Sequence, residues 1–382
     1  MGFWDNLVEE RHELVRETAA EFAESRIEPN VAEWEEVGLF PRELYREAAE
    51  AGILGVGFPA EVGGAGGGAM ERVMVSEGLM RAGSTGVMAG LGSAGIALPP
   101  LVEAGEEHLI ESFVRPALHG EKIAALAVTE PGAGSDVTGV ETRAELAGEF
   151  YVVNGSKMFI TSGVRADFLT ALVRTEEAPH GGLTFLVVET DREGVSVSEP
   201  LKKTGWCASD TAEIGFDGVR VPVENRVGPE GGGFPILMRN FQDERLALAA
   251  YGAATADVAL REAEAYADER EVFDRSVSDF QVNQHKLVDM ATRVKAAKTL
   301  VYQVARRIDA GEYPVEEVSM AKNFCAEVAV EVTYDAVQLH GGTGYMRETK
   351  VERLSRDARL LPIGGGTQEI MKEIIAEQRG YH

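Results

Sequence analysis

At 382 residues, 45% hydrophobic and 26% charged, the chain has the composition of a folded globular protein, which excludes disordered, collagenous and fibrous classes. Single cores stop growing near about 250–300 residues, so two or three domains are expected. Sixty-three Asp and Glu against 37 Lys and Arg leave a formal charge of −26, which repels phosphate backbones and anionic bilayers and weighs against a nucleic-acid partner.

In chain order, the opening stretch MGFWDNLVEERHELV is charged within its first ten residues and carries no apolar run with a cleavage site, so a cytoplasmic protein is expected. Leu7, Leu14, Val15 and Phe22 recur at helical spacing, Pro41 opens another helix, and 69–81 forms a third. The Gly-rich EVGGAGGG at 61–68 lacks the Lys-Ser/Thr of a phosphate loop and follows no clear strand, which favours a plain turn. IALPPLV at 96–102 is the nearest approach to a membrane span and falls far short of about 20 apolar residues.

From 123 to 223 the pattern changes to short β-branched and aromatic runs, beginning with a strand over 123–128. Within FYVVNGSKMFITSG, Asn154-Gly155 is a hairpin signal. Beyond the glycines at 231–233 the helical period returns over 234–270, 280–310 and 314–339, and a last helix covers 367–379. The expected order is helices, a small β domain, then a helical bundle.

Leu237, Phe241, Glu244, Leu248 and Tyr251 follow at steps of four, three, four and three and so share one helix face. Glu244 thus projects from an apolar stripe, where an unpaired carboxylate is costly. It is either partnered, by Arg245 or another bundle Arg, or a general base. Before the last helix, Gly364-Gly365-Gly366-Thr367-Gln368-Glu369 is either a ligand cradle at a helix start or an ordinary turn capped by Thr367. Gln338-Leu339-His340-Gly341-Gly342 ends a helix where glycine is expected anyway. Thr129–Asp136 offers backbone N–H groups and hydroxyls that suit an anion, and equally suits a β turn. Cys207 and Cys325 stand in no CxxC or His-rich setting, so neither a disulfide framework nor a metal site is expected. Only 10 of the basic residues are Lys against 27 Arg; this acid-rich, Lys-poor balance resembles proteins of salt-loaded cytoplasms and equally keeps a concentrated protein soluble.

In order and spacing these segments resemble the acyl-CoA dehydrogenase family over essentially the whole chain. AVTEPGAGSD at 127–136 and NGSKMFITSG at 154–163 are similar to its two flavin-contacting segments. GWCASDT at 205–211 and VRVPVENRVG at 219–228 resemble its β-domain exit, and REVFDR at 270–275 its interface loop. QLHGGTGYMRE at 338–348 and GGTQEIMKEII at 365–375 resemble the FAD-binding ends of its bundle. The resemblance implies an α+β multidomain fold: an N-terminal α-helical domain over 1–121, a middle β-barrel-like domain over 122–228 and a C-terminal four-helix bundle over 229–382. It further implies FAD, an acyl-CoA substrate, α,β-dehydrogenation to the trans-2-enoyl-CoA, electron-transfer flavoprotein as acceptor, and a homotetramer. The rivals are an acyl-CoA oxidase and a DNA-associated alkylation-response flavoprotein that does not dehydrogenate thioesters; the acidic composition argues against the second.

Residue by residue, the resemblance implies that Leu126, Val128, Thr129, Gly134 and Ser135 form the first flavin segment and Phe159, Ile160 and Thr161 the second. Arg270 and Gln281 would hold the FAD pyrophosphate and adenine across a subunit interface, together with Gln338, Leu339, His340, Gly341 and Gly342. Thr367, Gln368 and Glu369 would supply the terminal FAD contacts. Ser135, Gln242, Asp243, Glu244, Arg245, Gly365 and Gly366 would face the thioester substrate. Most relatives carry the base in Tyr-Glu-Gly-Thr before the last helix, where this chain has Gly365 at the glutamate's position. A minority, including long-chain and isovaleryl-CoA dehydrogenases, carry it in a Glu-Arg pair on the bundle helix, which matches Glu244-Arg245. Phe159 stands where many relatives have Trp, and Asp274 where they have Gly, which brings a negative charge near Arg270.

Overall fold

The computed structural model describes residues 3–4, 6–178 and 182–381. Glu10–Phe22 buries His12, Ala19, Ala20 and Phe22, whereas Leu14 lies on the outer face, contrary to the apolar register expected for it. Ala69–Leu79 is buried almost all round, including Glu71, Ser76 and Glu77. It approaches the first helix so closely that a Cβ at Gly78 would lie 2.5 Å from the carbonyl oxygen of Arg16. Its buried Glu77 is paired from the bundle, accepting from the Tyr302 hydroxyl at 2.6 Å through Oε1 and lying 3.3 Å from Lys298 Nζ through Oε2. Residues of the N-terminal helices and of the long C-terminal helices therefore share one hydrophobic core, running from Ala19 through Met74 and Ala253 to Val332 and Leu354.

The middle of the chain forms one sheet of eight strands: β1 (Ala124–Ala127), β2 (Arg143–Ala147), β3 (Phe150–Thr161), β4 (Phe168–Arg174), β5 (Leu183–Glu189), β6 (Val195–Val197), β7 (Thr211–Pro222) and β8 (Arg226–Val227). The order is β6-β7-β3-β2-β4-β5-β8, with β1 parallel to β4. The first six residues of β4 and of β5 are all buried, because both sheet faces are covered: one by the helices around Leu98–Leu118 and the start of the bundle, the other by residues such as Tyr151, Ile214 and Val221.

The hairpin expected at Asn154-Gly155 lies elsewhere. β2 turns into β3 at Gly148, whose φ is +68°, and β3 runs straight through Asn154-Gly155 with a register shift there. The Asn-Gly pair is used as a bulge: a Cβ at Gly155 would lie 2.6 Å from Thr142 Oγ1, and Asn154 Oδ1 accepts from the Gly218 amide.

The bundle consists of Gly233–Glu269, Gln281–Asp309, Val315–His340 and the shorter Gln368–Gln378, with Lys350–Ala358 packed beside them. Its helix bounds lie within one residue of the sequence periodicity. Among the described residues no single helix is long and apolar enough to cross a membrane.

Candidate active site

Glu244 lies in the first third of Gly233–Glu269, on the face that turns towards the Gly364–Gly366 loop. Its Oε2 is buried and has no hydrogen-bond partner among the described residues. Burial raises the Glu244 carboxyl above the usual carboxylate range, opposed by the charges of Arg245 and Lys322. Arg245 does not bond to it among the described residues: its Nε reaches the Gly365 carbonyl at 3.4 Å and its guanidinium lies over the Phe241 ring.

Gly365 completes the pocket. Its φ of +64° is a conformation that L side chains rarely adopt, and a Cβ there would lie 2.3 Å from Leu248 Cδ1 and 3.6 Å from Glu244 Oε1. A side chain at 365 would have to push the tip of Leu248 aside, so glycine lets the loop lie close against the carboxylate. Among the described residues nothing accepts a hydrogen bond from the Gly365 or Gly366 amide, so both N–H groups remain free to meet an oxygen. Asn240 Oδ1, Gln242 Oε1 and Asn323 Oδ1 are also buried without hydrogen-bond partners among the described residues.

One turn further along the helix an apolar cavity of about 120 Å³ opens, lined by residues including Val73, Met88, Gly92, Ala247 and Tyr251. The Arg72–Asp243 ion pair, 2.6 Å long, forms part of its wall. A second cavity of about 280 Å³ shares Asp243 and is lined by Arg239, Gln242 and Tyr313.

The sheet presents the second set of residues. Leu126, Val128 and Thr129 lead out of β1, and the Met158 amide donates to the Thr129 carbonyl at 2.8 Å, which joins the 126–135 segment to the 159–161 segment. A bulge between Lys157 and Ile160 puts Phe159 at φ +61° with its ring 61% exposed, while Ile160 is buried and Thr161 pairs with Thr211. Strained backbone carrying an exposed aromatic ring is a functional signature, since folding alone gives no reason to hold it. Gly134 and Ser135 are exposed at the loop tip. The loop is anchored by Glu130, which accepts from the amides of Glu141 and Thr142 and from Lys157 Nζ at 2.7 Å; Lys157 is fully buried and donates also to the Val128 carbonyl.

The third set lies at the far end of the bundle. Arg270 caps Gly233–Glu269, Gln281 begins the next helix, and His340 stacks on Tyr266 with ring centroids 4.2 Å apart beside Gln338, Leu339, Gly341 and Gly342. At 1.5 Å per residue Glu269 is roughly 37 Å along the helix from Glu244. One chain therefore does not bring Arg270, Gln281 and Gln338–Gly342 to the base, whereas Gln242–Arg245, Gly365 and Gly366 do converge. Thr367, Gln368 and Glu369 follow directly, with Thr367 Oγ1 capping the last helix at the Ile370 amide and the Gln368 carbonyl held by Asn323. Asp274 forms no ion pair among the described residues; it occupies φ +60°, a glycine-like conformation, and Arg275 lies over the Phe280 ring.

The sequence reading missed the buried lysines. Lys322 is wholly buried on Val315–His340 and donates to the Gly366 carbonyl at 2.5 Å. It falls in register with Val318, Cys325 and Ala329, so the stripe argument applied to Glu244 would have singled it out too.

Family models for the acyl-CoA dehydrogenase N-terminal, middle and C-terminal domains match residues 9–121, 125–219 and 231–379. A probable acyl-CoA dehydrogenase from Mycobacterium abscessus is similar in structure at a TM-score of 0.96, with 50% identity over 98% of this chain and 100% of that one. The mitochondrial long-chain specific acyl-CoA dehydrogenase of Sus scrofa is 36% identical over 370 residues, 96% of this chain and 86% of that one. A caffeyl-CoA reductase-Etf complex subunit of Acetobacterium woodii is 36% identical over 375 residues, 96% of this chain and 97% of that one. The chain belongs to the acyl-CoA dehydrogenase family, FAD-binding oxidoreductases that act on acyl-CoA thioesters.

Proposed function

We propose that the protein catalyses α,β-dehydrogenation of an acyl-CoA to the trans-2-enoyl-CoA, with Glu244 removing the α proton and bound FAD as the group that would accept the β hydride. The observation that carries this is the buried, unpartnered Glu244 Oε2 on the face that meets the Gly364–Gly366 loop, where Gly365 places no side chain against it. Burial makes the carboxylate a stronger base than in water, and the free amides of Gly365 and Gly366 suit a thioester oxygen that gains negative charge as the proton leaves. The apolar cavity beside Tyr251 takes the acyl chain, and Gln242, Asp243, Arg245 and Ser135 border the path of the thioester.

The residues fit FAD: a loop tip with exposed backbone at Gly134 and Ser135, a strained exposed ring at Phe159, and Thr161 alongside. When bound, FAD supplies the two-electron acceptor. Leu126, Val128, Thr129, Ile160, Thr367, Gln368 and Glu369 would complete its contacts within one chain. Because Arg270, Gln281, Gln338, Leu339, His340, Gly341 and Gly342 lie so far from Glu244, a second copy of the chain would supply them, which supports a dimer as the smallest active unit; two such dimers would form the family's homotetramer. Electrons would then pass to an electron-transfer flavoprotein, as the name of the Acetobacterium relative suggests. Mixing the purified holoenzyme anaerobically with butyryl-, octanoyl-, palmitoyl- and isovaleryl-CoA tests the reading: at least one thioester bleaches the flavin, and bleaching by none refutes it.

A further inference from the structure

A buried lysine needs a reason, because an ammonium group taken from water costs several kcal/mol unless paired. Lys322 forms no ion pair among the described residues. Of its three N–H donors, one reaches the Gly366 carbonyl at 2.5 Å. The charged groups around it are Glu244 and Arg245 from Gly233–Glu269 and Glu369 from the last helix. Tyr251 faces Glu244, and Tyr313 faces Arg245. Burial, with the repulsion of Arg245, pushes the ammonium down to about 8 despite the two carboxylates.

The placement has a direct consequence for the loop. Arg245 holds the Gly365 carbonyl and Lys322 the Gly366 carbonyl, so two cations from two different helices fix consecutive peptide planes. The orientation of a carbonyl fixes the N–H of the next residue, so Arg245 sets the Gly366 N–H directly and Lys322 sets the following peptide, whose N–H belongs to Thr367, pinning the loop from its far side. Asn323, the next residue, ties down the Gln368 carbonyl as well.

We propose that Lys322 is a positioning residue for proton abstraction: it orients the Gly365–Gly366 loop against the thioester, and its charge stabilises the carboxylate form of Glu244. The inference rests on the assignment of Glu244 as the base. Lys322 touches neither reacting carbon; it acts through the loop and through the field at Glu244.

The test is the pH dependence of anaerobic flavin reduction, using whichever of the four thioesters bleaches the wild-type holoenzyme fastest. In Lys322→Met the buried charge is replaced by an apolar chain of similar size, so the melting temperature holds or rises. The acid limb of the rate profile moves up by on the order of one pH unit, and the plateau rate falls about tenfold or more. In Lys322→Arg the acid limb stays at the wild-type position, and any wild-type decline near pH 8 moves to higher pH because a guanidinium does not lose its proton there. An unmoved acid limb in a folded, FAD-loaded Lys322→Met enzyme overturns the inference. So does an alkaline decline in Lys322→Arg identical to the wild type, a result that does not depend on the Met variant folding. If Glu244→Gln is still reduced at the wild-type rate, the base assignment and this inference fall together; if Glu244→Gln is inactive and the Lys322→Met limb is unmoved, only the role of Lys322 falls.

Discussion

Gly365→Ala is the smallest change that probes the pocket around the base. The added Cβ would sit 2.3 Å from Leu248 Cδ1, where carbon atoms ordinarily approach to about 3.5–4.0 Å, so one of them must move by about 1 Å. Leu248 has little room, being only 7% exposed. The left-handed φ of +64° adds about 1–2 kcal/mol for any L side chain, and overpacking of this kind adds about 1–3 kcal/mol. The FAD-binding segments of the sheet are untouched, so the variant should purify yellow and melt a few degrees lower. Because a shift of about 1 Å in a positioned group costs about a hundredfold in rate, stopped-flow flavin bleaching should slow by one to two orders of magnitude. A variant with the wild-type melting temperature and bleaching rate would refute the argument that the missing side chain at Gly365 shapes the pocket around Glu244.

Lys157→Met should leave Glu130 as an uncompensated buried carboxylate, at a cost of about 3–5 kcal/mol, and loosen the loop that leads to Ser135; thermal melting and FAD content both drop, and unchanged values would contradict the anchoring role. Gly92→Val projects a side chain towards Tyr251, since even a Cβ would lie 2.6 Å from its hydroxyl oxygen; it should slow reduction by the longest thioesters far more than by butyryl-CoA. In the ligand-free protein, a folded-state Glu244 raised by burial contributes stability below the ordinary carboxylate range and loses it as pH rises through the raised value. The melting temperature of Glu244→Gln relative to wild type should therefore increase from pH 4 to pH 8, and a constant difference would speak against the raised carboxyl. With a formal charge of −26, binding of the anionic enoyl-CoA product should tighten as KCl screens the repulsion; weakening would show that local cations dominate instead.

The order of elements was legible because its signals are local. Period and glycine breaks mark the bundle helices, and a carboxylate in an apolar stripe marks Glu244. Asn154-Gly155 misled because the same pair serves a bulge as readily as a turn, and only the neighbouring Thr142 decides which. Leu14 misled because a leucine at helical spacing does not reveal that Ala19 and Ala20 form the buried face. The Glu130–Lys157 anchor joins residues 27 apart, and the Lys322 contact crosses 44 residues. Such pairings depend on tertiary placement, although the apolar register of Lys322 was visible in the sequence.

The central claim, that Glu244 is the base, is tested most directly by the rate of anaerobic flavin reduction in Glu244→Gln. That amide has the same shape and no basic oxygen. The account predicts a yellow enzyme that still binds the acyl-CoA, with reduction slowed by at least about 10²–10⁴-fold, the usual contribution of a positioned general base. Reduction at the wild-type rate would contradict it.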